Sequence, residues 1–340
     1  MSTPRDEGFS MPPDWAAHTR CWMAWPCREA PWGGELEEAR RAYAEVAQLI
    51  ARFEPVTMIV RPELVAMASL YCGPGITVLP MPHDDSWVRD TGPTFLLDAA
   101  GQLGGVTWVF NGWGELQPEH AQDARMAQRM LEHVTARRFA GDLVLEGGAI
   151  QVDGEGTCLA ATGPLLDTKR NPGCHREEIE AELMRQLGVT TVIWLPAGLV
   201  DDETGGQLEN VACFVRPGVV MALATDDRAD ASFTGLAENL DVLRAATDAR
   251  GRTLEVLTIP QPKPRQRHDG RRQPLSHLSC YLANGAVIVP RFGDAADNAA
   301  TKVMAAAWPG REIVPVDALA IVEGGGGIHG IALGQPAARP

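Results

Sequence analysis

The sequence predicts an α/β fold built from about five similar units around a common axis. Two observations support this. Amphipathic helical patterns alternate with short runs of branched residues, and a hairpin, a helix and a strand recur at intervals of roughly 50 to 70 residues. Units that each leave an apolar face uncovered are stabilised by stacking. No linker-like stretch divides the 340 residues, so we expect one domain, residues 1–340.

The elements follow this rhythm. Residues 1–34 are rich in Pro and Trp and should form an ordered, non-helical N-terminal segment. Glu35–Phe53 has apolar residues on one face and predicts the first helix. Pro62 at a first helical position favours a second helix at Glu63–Tyr71. The further helices are expected at Asp123–Thr135, Arg176–Leu187, Thr234–Thr247 and Ala295–Ala307. The strands are expected at Val56–Val60, Ile76–Leu79, Thr94–Leu97, Val106–Phe110, Leu143–Leu145, Ile150–Val152, Cys158–Ala161, Thr190–Leu195, Ala212–Val215, Val219–Leu223, Leu254–Ile259, Ser279–Leu282, Val287–Val289 and Glu312–Val316.

One insertion interrupts the rhythm. Pro260–Arg271 is polar, basic and rich in proline, and such a stretch is expected to be an exposed or mobile loop at the mouth of a site.

Composition limits the function. A hydrophobic fraction of 45% and a charged fraction of 22% are typical of a globular protein. No apolar run has the length of a bilayer span, and the first residues do not resemble a secretory signal. The net charge of −14 argues against nucleic acid or membrane as a partner and is compatible with a cationic small molecule. A homodimer is left open.

The cysteines indicate a reducing compartment. Seven are present at irregular spacings, without a CxxC pair. This pattern favours reduced thiols in a cytoplasm and gives no support for a zinc site. We therefore expect no metal and no other cofactor.

Four loops at strand ends carry the unusual residues. They are His83–Pro93, with three carboxylates, Leu145–Gly148, Asp201–Asn210, and Glu323–Gly330, with four consecutive glycines. A buried carboxylate needs a partner because removing an ion from water is costly. These acids therefore form either a self-satisfied structural network or a cradle for a cationic ligand. In a closed ring of repeats, the loops would converge on the axis.

Several stretches resemble a known family. They are MPPDWAAHTRCWMAWP, FEPVTMIV, DDSWVRDTGPTF, FNGWGE, LEGGAIQVDGEGTCL, TKRNP, WLPAGLVDDET, RPGVVMALATDD, YLANGAVIVPRFGD and GGGGIH. Together they resemble the agmatine deiminase and bacterial peptidyl-arginine deiminase family. The resemblance implies a pentein fold, a five-bladed α/β propeller of ββαβ units with the site on its axis.

The resemblance also implies a mechanism. In the family a Cys thiolate attacks the guanidinium carbon, a His transfers protons, and two acidic residues hold the guanidinium nitrogens. Asp90, Glu146 and His329 match family residues in this chain. Gly330 stands at the position of the nucleophilic cysteine, Gln207 at that of the histidine, and Glu209 replaces an aspartate. The chain is thus expected to be a divergent member without the usual covalent thiol chemistry.

The candidate residues follow from these matches. The expected catalytic residues are Asp90, Glu209 and His329. The expected ligand-binding residues are Asp85, Trp87, Trp113, Glu146 and Gln207, with His83 nearby. The two tryptophans would form apolar or cation–π walls, and Asp85, Trp87 and Arg89 could equally form a structural network. Cys158, Cys213 and Cys280 are expected to be small core residues.

Four functions stay open. The first is altered C–N chemistry on a guanidine, amidine or amine, with Glu209 or His329 as general base. The second is a pseudoenzyme that binds a guanidine or polyamine. The third is an active agmatine deiminase, giving N-carbamoylputrescine and ammonia, with metal-assisted hydrolysis as one route. The fourth is an interaction-only pentein.

Overall fold

The computed structural model describes residues 2–338 and contains five small sheets. The strands are β1 His18–Ala24, β2 Val56–Val60, β3 Ile76–Pro80, β4 Thr94–Leu97, β5 Leu103–Val109, β6 Arg137–Val144, β7 Ile150–Val152, β8 Thr157–Ala161, β9 Thr191–Leu195, β10 Ala212–Arg216, β11 Val219–Ala224, β12 Glu255–Pro260, β13 Tyr281–Ala283, β14 Ala286–Arg291, β15 Glu312–Asp317 and β16 Leu333–Pro336. The helices are α1 Leu36–Ile50, α2 Val65–Cys72, α3 Val88–Thr91, α4 Gly112–Glu115, α5 Met126–His133, α6 Thr162–Leu165, α7 Arg176–Leu187, α8 Phe233–Ala245, α9 Ala296–Ala307, α10 Leu319–Val322 and α11 Ile328–Ile331.

Four of the sheets repeat one plan. In each, the first two strands are antiparallel and the third runs parallel to the second. A helix connects the second and third strands, namely α5, α7, α8 or α9. Each of these blades is a ββαβ unit, so the predicted pentein-type propeller is confirmed.

The remaining blade is assembled from both ends of the chain. Its strand order is β16-β1-β2-β3, with β16 antiparallel to β1 and the other pairs parallel. The C-terminal strand therefore takes the place that the first hairpin strand occupies in the other blades. The ring closes through this pairing.

The sequence did not predict β1 and β16. Residues 1–34 were expected to be ordered and non-helical. They contain β1, which was not predicted, and two single-turn 3-10 helices, Arg5–Glu7 and Ala30–Trp32. Strand β16, with the sequence LGQP, contains Gly and Pro, which disfavour strands. Its pairing with β1 comes from tertiary context, which overrides that local preference. Strands β5 and β6 also begin earlier than expected.

The core lies between the blades and their helices. Helix α1 buries Leu36, Tyr43 and Ile50 along one face, as its apolar spacing predicts. All five residues of β2 are buried, which is typical of an inner parallel strand. No helix in residues 2–338 combines the length and apolar character needed to cross a bilayer.

Short turns meet on the ring axis. Helix α3 contacts α11 and the 3-10 turn Gly147–Ala149, and that turn contacts the 3-10 turn Leu208–Asn210. These turns carry the acidic and glycine-rich motifs of the sequence. The fold therefore brings them together.

Candidate active site

A pocket of about 280 Å³ opens where these turns meet. Its wall combines carboxylates, an amide, two indole rings and three guanidinium groups. The lining residues discussed below are Arg28, Asp85, Trp87, Asp90, Trp113, Glu203, Gln207, Glu209, Arg267, Arg271, Gly325 and Gly330. Of the eight predicted site residues, six line this pocket, and Glu146 and His329 lie behind its wall.

Two carboxylates and an amide oxygen converge at the base of the pocket. Asp90 accepts hydrogen bonds from the Gly148 backbone N–H at 3.2 Å and from the Trp113 indole N–H at 2.9 Å. A Cβ built on Gly148 would lie 2.8 Å from Glu209 Oε2, 3.2 Å from Asp90 Oδ1 and 3.3 Å from Gln207 Oε1. Glycine at this position therefore leaves room for three acceptors to approach one another.

Asp90 at the base lacks a fixed cation in the described chain, and the partner of Glu209 is the His329 imidazole. Burial, and then the charges of Glu209 and Glu146, raise the pKa of Asp90 to about 8. Within residues 2–338, no Lys or Arg forms an ion pair with Asp90 or Glu209. Neighbouring negative charges disfavour ionisation of a carboxyl group, and a bound cation would favour the ionised form. The base of the pocket is thus complementary to a positively charged group.

His329 links Glu209 to Asp14, an aspartate whose side chain is 15% exposed. Its Nδ1 lies 2.6 Å from Glu209 Oε2, and its Nε2 lies 3.2 Å from Asp14 Oδ2. Asp14 also contacts Arg89 at 3.5 Å and accepts a hydrogen bond from Gln151 at 2.7 Å. Burial and the Arg89 charge lower the pKa of His329, but Glu209 and Asp14 outweigh them and raise it. The two carboxylates thus favour the protonated form of this imidazole.

Asp14 was not predicted. It lies in the motif MPPDW, far from His329 in sequence, and nothing in its local pattern marks it as a site residue. Burial alone would raise its pKa, yet the Arg89 charge and then His329 lower the pKa of this carboxyl far below its ordinary value. Asp14 therefore stays ionised beneath the site.

Gly330 borders the pocket beside Trp87 and Glu209. A Cβ built on Gly330 would lie 3.2 Å from Trp87 Cε3 and 3.4 Å from Glu209 Oε1. Trp87 itself stacks on Trp32, with ring centroids 6.2 Å apart and an interplanar angle of 14°. The bare backbone at Gly330 leaves space between the indole wall and the Glu209 carboxylate.

Glu146 does not reach the pocket surface, in contrast to its expected contact with a ligand. It forms an ion pair with Arg170 at 2.8 Å and accepts a hydrogen bond from Gln207 Nε2 at 3.4 Å. Burial raises the pKa of Glu146 despite the Arg170 charge. The contact orients the Gln207 amide, whose Oε1 is buried and has no hydrogen-bond partner in the described chain. Glu146 thus acts through Gln207, which does line the pocket.

Two residues of His83–Pro93 have structural partners. Asp85 lines the pocket and forms an ion pair with Arg28 at 3.2 Å, and burial raises the pKa of Asp85 to about 6. His83 is buried, with its ring nitrogens 3.1 Å from the Met81 carbonyl and 2.9 Å from the Trp25 carbonyl. His83 therefore belongs to the scaffold, whereas Asp85 lies at the site.

The Pro260–Arg271 segment, hereafter the mouth loop, lies beside the opening. Most of it is exposed, but Arg267 is buried and forms an ion pair with Glu203 at 2.8 Å. His268 lies 3.1 Å from Glu35 and 2.7 Å from Glu323, and these carboxylates raise its pKa. These ion pairs tie the loop to the rest of the ring.

No cysteine of residues 2–338 lines the pocket. Cys158, Cys213 and Cys280 are buried core residues, as expected, and burial raises the pKa of Cys158 and of Cys280 to about 12. Cys213 and Cys280 border a separate internal cavity of about 50 Å³ behind His329. Across the described chain, no three His, Cys, Asp or Glu side chains cluster in a way that could hold a metal ion.

The architecture and the pocket define the class of protein. A ring of five ββαβ blades with carboxylates on its axis is a pentein-type α/β propeller. The family model of the Porphyromonas-type peptidyl-arginine deiminases matches residues 10–336. The chain therefore belongs to this family, which includes the agmatine deiminases.

Named relatives agree with this assignment. Agmatine deiminase from Stutzerimonas stutzeri is 42% identical over 360 residues, covering 99% of this chain and 98% of the relative. Agmatine deiminase from Pseudomonas fluorescens is 40% identical over 359 residues, with 99% and 98% covered. Among solved structures, agmatine deiminase of Enterococcus faecalis has a TM-score of 0.96 at 33% identity, covering 100% of this chain and 99% of its own.

Proposed function

We propose that this protein hydrolyses the guanidinium group of agmatine or an agmatine-like guanidine. The products are ammonia and a ureido compound, which for agmatine is N-carbamoylputrescine. The observation that carries the proposal is the Glu209–His329 pair, 2.6 Å apart and facing Asp90 beside the open space at Gly330. The agmatine deiminase relatives, 40% and 42% identical over nearly the whole chain, support the substrate.

The guanidinium group would bind at the base of the pocket. Asp90 and Glu209 would hold its nitrogens through charge-assisted hydrogen bonds. The free Gln207 Oε1 would accept a further N–H. The indole rings of Trp87 and Trp113 would cover the planar cation. A bound cation also stabilises the ionised form of Asp90, whose pKa is raised in the empty pocket by burial and by the neighbouring carboxylates.

Water would take the place of the family's thiolate. Gly330 stands where the resemblance puts the nucleophilic cysteine, and the space there is bordered by Glu209 Oε1. Glu209 accepts a proton from a water molecule whose oxygen bonds to the guanidinium carbon. The leaving nitrogen takes up that proton from Glu209, and the carbon–nitrogen bond breaks as ammonia departs. The second proton of the water molecule, still on the carbon-bound oxygen, is released to solvent, which leaves the neutral ureido group. The ureido carbonyl keeps the water oxygen, and His329 stabilises the Glu209 charge.

The test measures ammonia and ureido product from agmatine in the same samples. We expect turnover in the native protein, a loss of at least about 100-fold in Glu209→Gln, and no loss after alkylation with iodoacetamide. Glu63→Gln, at an exposed glutamate, is the matched control and should retain full turnover. Inactivation by iodoacetamide would overturn the water mechanism, and full activity in Glu209→Gln would overturn the role of Glu209.

A second candidate is binding without turnover. Gly330 supplies no thiol and Gln207 has no group that titrates near neutral pH, and both facts favour a receptor or carrier of guanidino compounds. Agmatine would then raise the melting temperature without releasing ammonia, and Asp90→Asn would abolish the stabilisation. In that case the triple variant Gly330→Cys, Gln207→His, Glu209→Asp should gain deimination. Ammonia release by the native protein would exclude this candidate.

A further inference from the structure

The pocket changes polarity between its base and its mouth. At the base, the side chain of Glu209 is 8% exposed and Gln207 is 5% exposed, and both present oxygen acceptors. At the mouth, the side chains of Arg28 and Arg271 are 20% and 46% exposed and present N–H donors. A ligand that fills the pocket therefore meets acceptors at one end and donors at the other.

Arg267 has the least satisfied donor at the mouth. Its side chain is only 6% exposed, and it donates to Glu203 at 2.8 Å and to the Pro31 carbonyl at 3.3 Å. Its Nε is buried, and no residue in the 2–338 range accepts a hydrogen bond from it. A buried donor without an acceptor costs free energy, which an acceptor on a ligand would recover.

The one carboxylate beside Arg267 is already shared. Glu203 pairs with Arg267 and also with Arg271. An amine at the end of a ligand would have to compete with two guanidinium groups for Glu203, and its positive charge would face theirs. Arg271 also pairs with Asp269, so a ligand carboxylate would be drawn to the Arg267 donor that Glu203 leaves without an acceptor.

A glycine beside Arg267 lets the Arg267–Glu203 pair lie close against the pocket wall. A Cβ built on Gly325 would lie 2.7 Å from Glu203 Oε1 and 3.2 Å from Arg267 Nη1. Gly325 also has a φ of +102°, which side-chain-bearing residues rarely adopt. Any other residue here would crowd the Arg267–Glu203 pair at the pocket wall.

We propose that the mouth is a carboxylate subsite centred on Arg267, so that the preferred ligand is a guanidino acid. Its guanidinium group would lie between Asp90 and Glu209, and its carboxylate would bind Arg267 in the two-pronged geometry that suits a guanidinium. The inference rests on the proposed function for the guanidinium end alone. It adds a preference for a negatively charged tail over the amine tail of agmatine.

The test compares three probes that share the guanidinium group. They are agmatine, 4-guanidinobutyrate, which carries a carboxylate instead of the amine, and arginine, which carries both. Binding is measured by titration calorimetry at one pH and low salt. We expect both acids to bind at least about tenfold more tightly than agmatine. In Arg267→Gln this ratio should fall to about one. Arg265→Gln, at an exposed arginine of the same loop, is the control and should keep the native ratio.

The outcomes separate the two proposals. Agmatine binding as tightly as the acids in the native protein would overturn the carboxylate subsite, and this comparison needs no variant. A native preference that persists in Arg267→Gln would overturn the role of Arg267. Tight binding of the acids without ammonia release from any probe would refute hydrolysis but leave the subsite standing. Ammonia release from agmatine, with equal binding of all three probes, would support hydrolysis and refute the carboxylate subsite.

Discussion

Guanidinium binding should strengthen as pH rises through the pKa of Asp90. Burial and the neighbouring carboxylates raise the pKa of Asp90 to about 8, so most of this side chain is protonated at neutral pH in the empty pocket. A guanidinium group remains charged over the whole range, and it requires the ionised carboxylate. Below the raised pKa, binding must therefore expel a proton, which weakens it.

The expected size follows from that pKa. At about pH 6.5 roughly 3% of Asp90 is ionised, and at about pH 9 roughly 90% is, so affinity should rise about 30-fold, or about 2 kcal/mol. Calorimetry in two buffers of different ionisation enthalpy measures both the affinity and the protons exchanged. Close to one proton should be released per bound guanidinium at the lower pH and almost none at the higher.

The variant Asp90→Asn isolates this carboxylate. It should bind guanidines weakly, without the steep pH dependence. The ligand-free variant should also gain stability at high pH. A carboxyl whose folded pKa is raised loses stability as pH rises from its unfolded value near 4 toward 8, and the amide removes that loss, which this shift puts at up to about 5 kcal/mol. An affinity that is flat or falls with pH in the native protein would refute the reasoning, as would the same slope in Asp90→Asn.

Three further predictions concern the surroundings of the site. In Gly148→Ala the added methyl group should push Glu209 aside and weaken agmatine binding at least about tenfold in calorimetry, with a small change in melting temperature. In Asp14→Asn the pKa of His329 should fall and the basic limb of the turnover–pH profile should move to lower pH, while urea unfolding shows a loss of about 3 kcal/mol; an unmoved profile would limit Asp14 to a structural role. Because its carboxylate partners raise the pKa of His268, this contact is fully present at acid pH and is lost as pH rises above the raised value. Trypsin should therefore cleave the mouth loop faster at high pH, and His268→Gln should remove that dependence; cleavage independent of pH in the native protein would contradict it.

The sequence predicted the ring and most of its elements. The hairpin–helix–strand rhythm is a local property, because each helix or strand carries its own apolar period. Strand β16 has no such period, because its strand conformation depends on pairing with β1 at the other end of the chain. The local sequence pattern of β16 therefore cannot predict its pairing with β1.

The acids on the axis were also predictable, but their partners were not. Asp90 and Glu209 occur in motifs with several carboxylates, so the sequence alone marks them as candidate site residues. Asp14 is a single aspartate beside prolines, and its role arises only from its 3.2 Å approach to His329. Glu146 is the opposite case. Its motif resembles a ligand-binding one, but in the fold its carboxylate forms an ion pair with Arg170. Pairing of charges is a tertiary property.

The closing of the ring by the two chain ends has a consequence for how the pocket arises. Asp14 lies just before β1, and His329 lies just before β16, so the strands that close the ring also bring these two side chains together. A chain in which β16 has not paired with β1 does not hold His329 against Asp14 and cannot complete the acid cluster. Ligand binding is thus a direct report that the ring has closed.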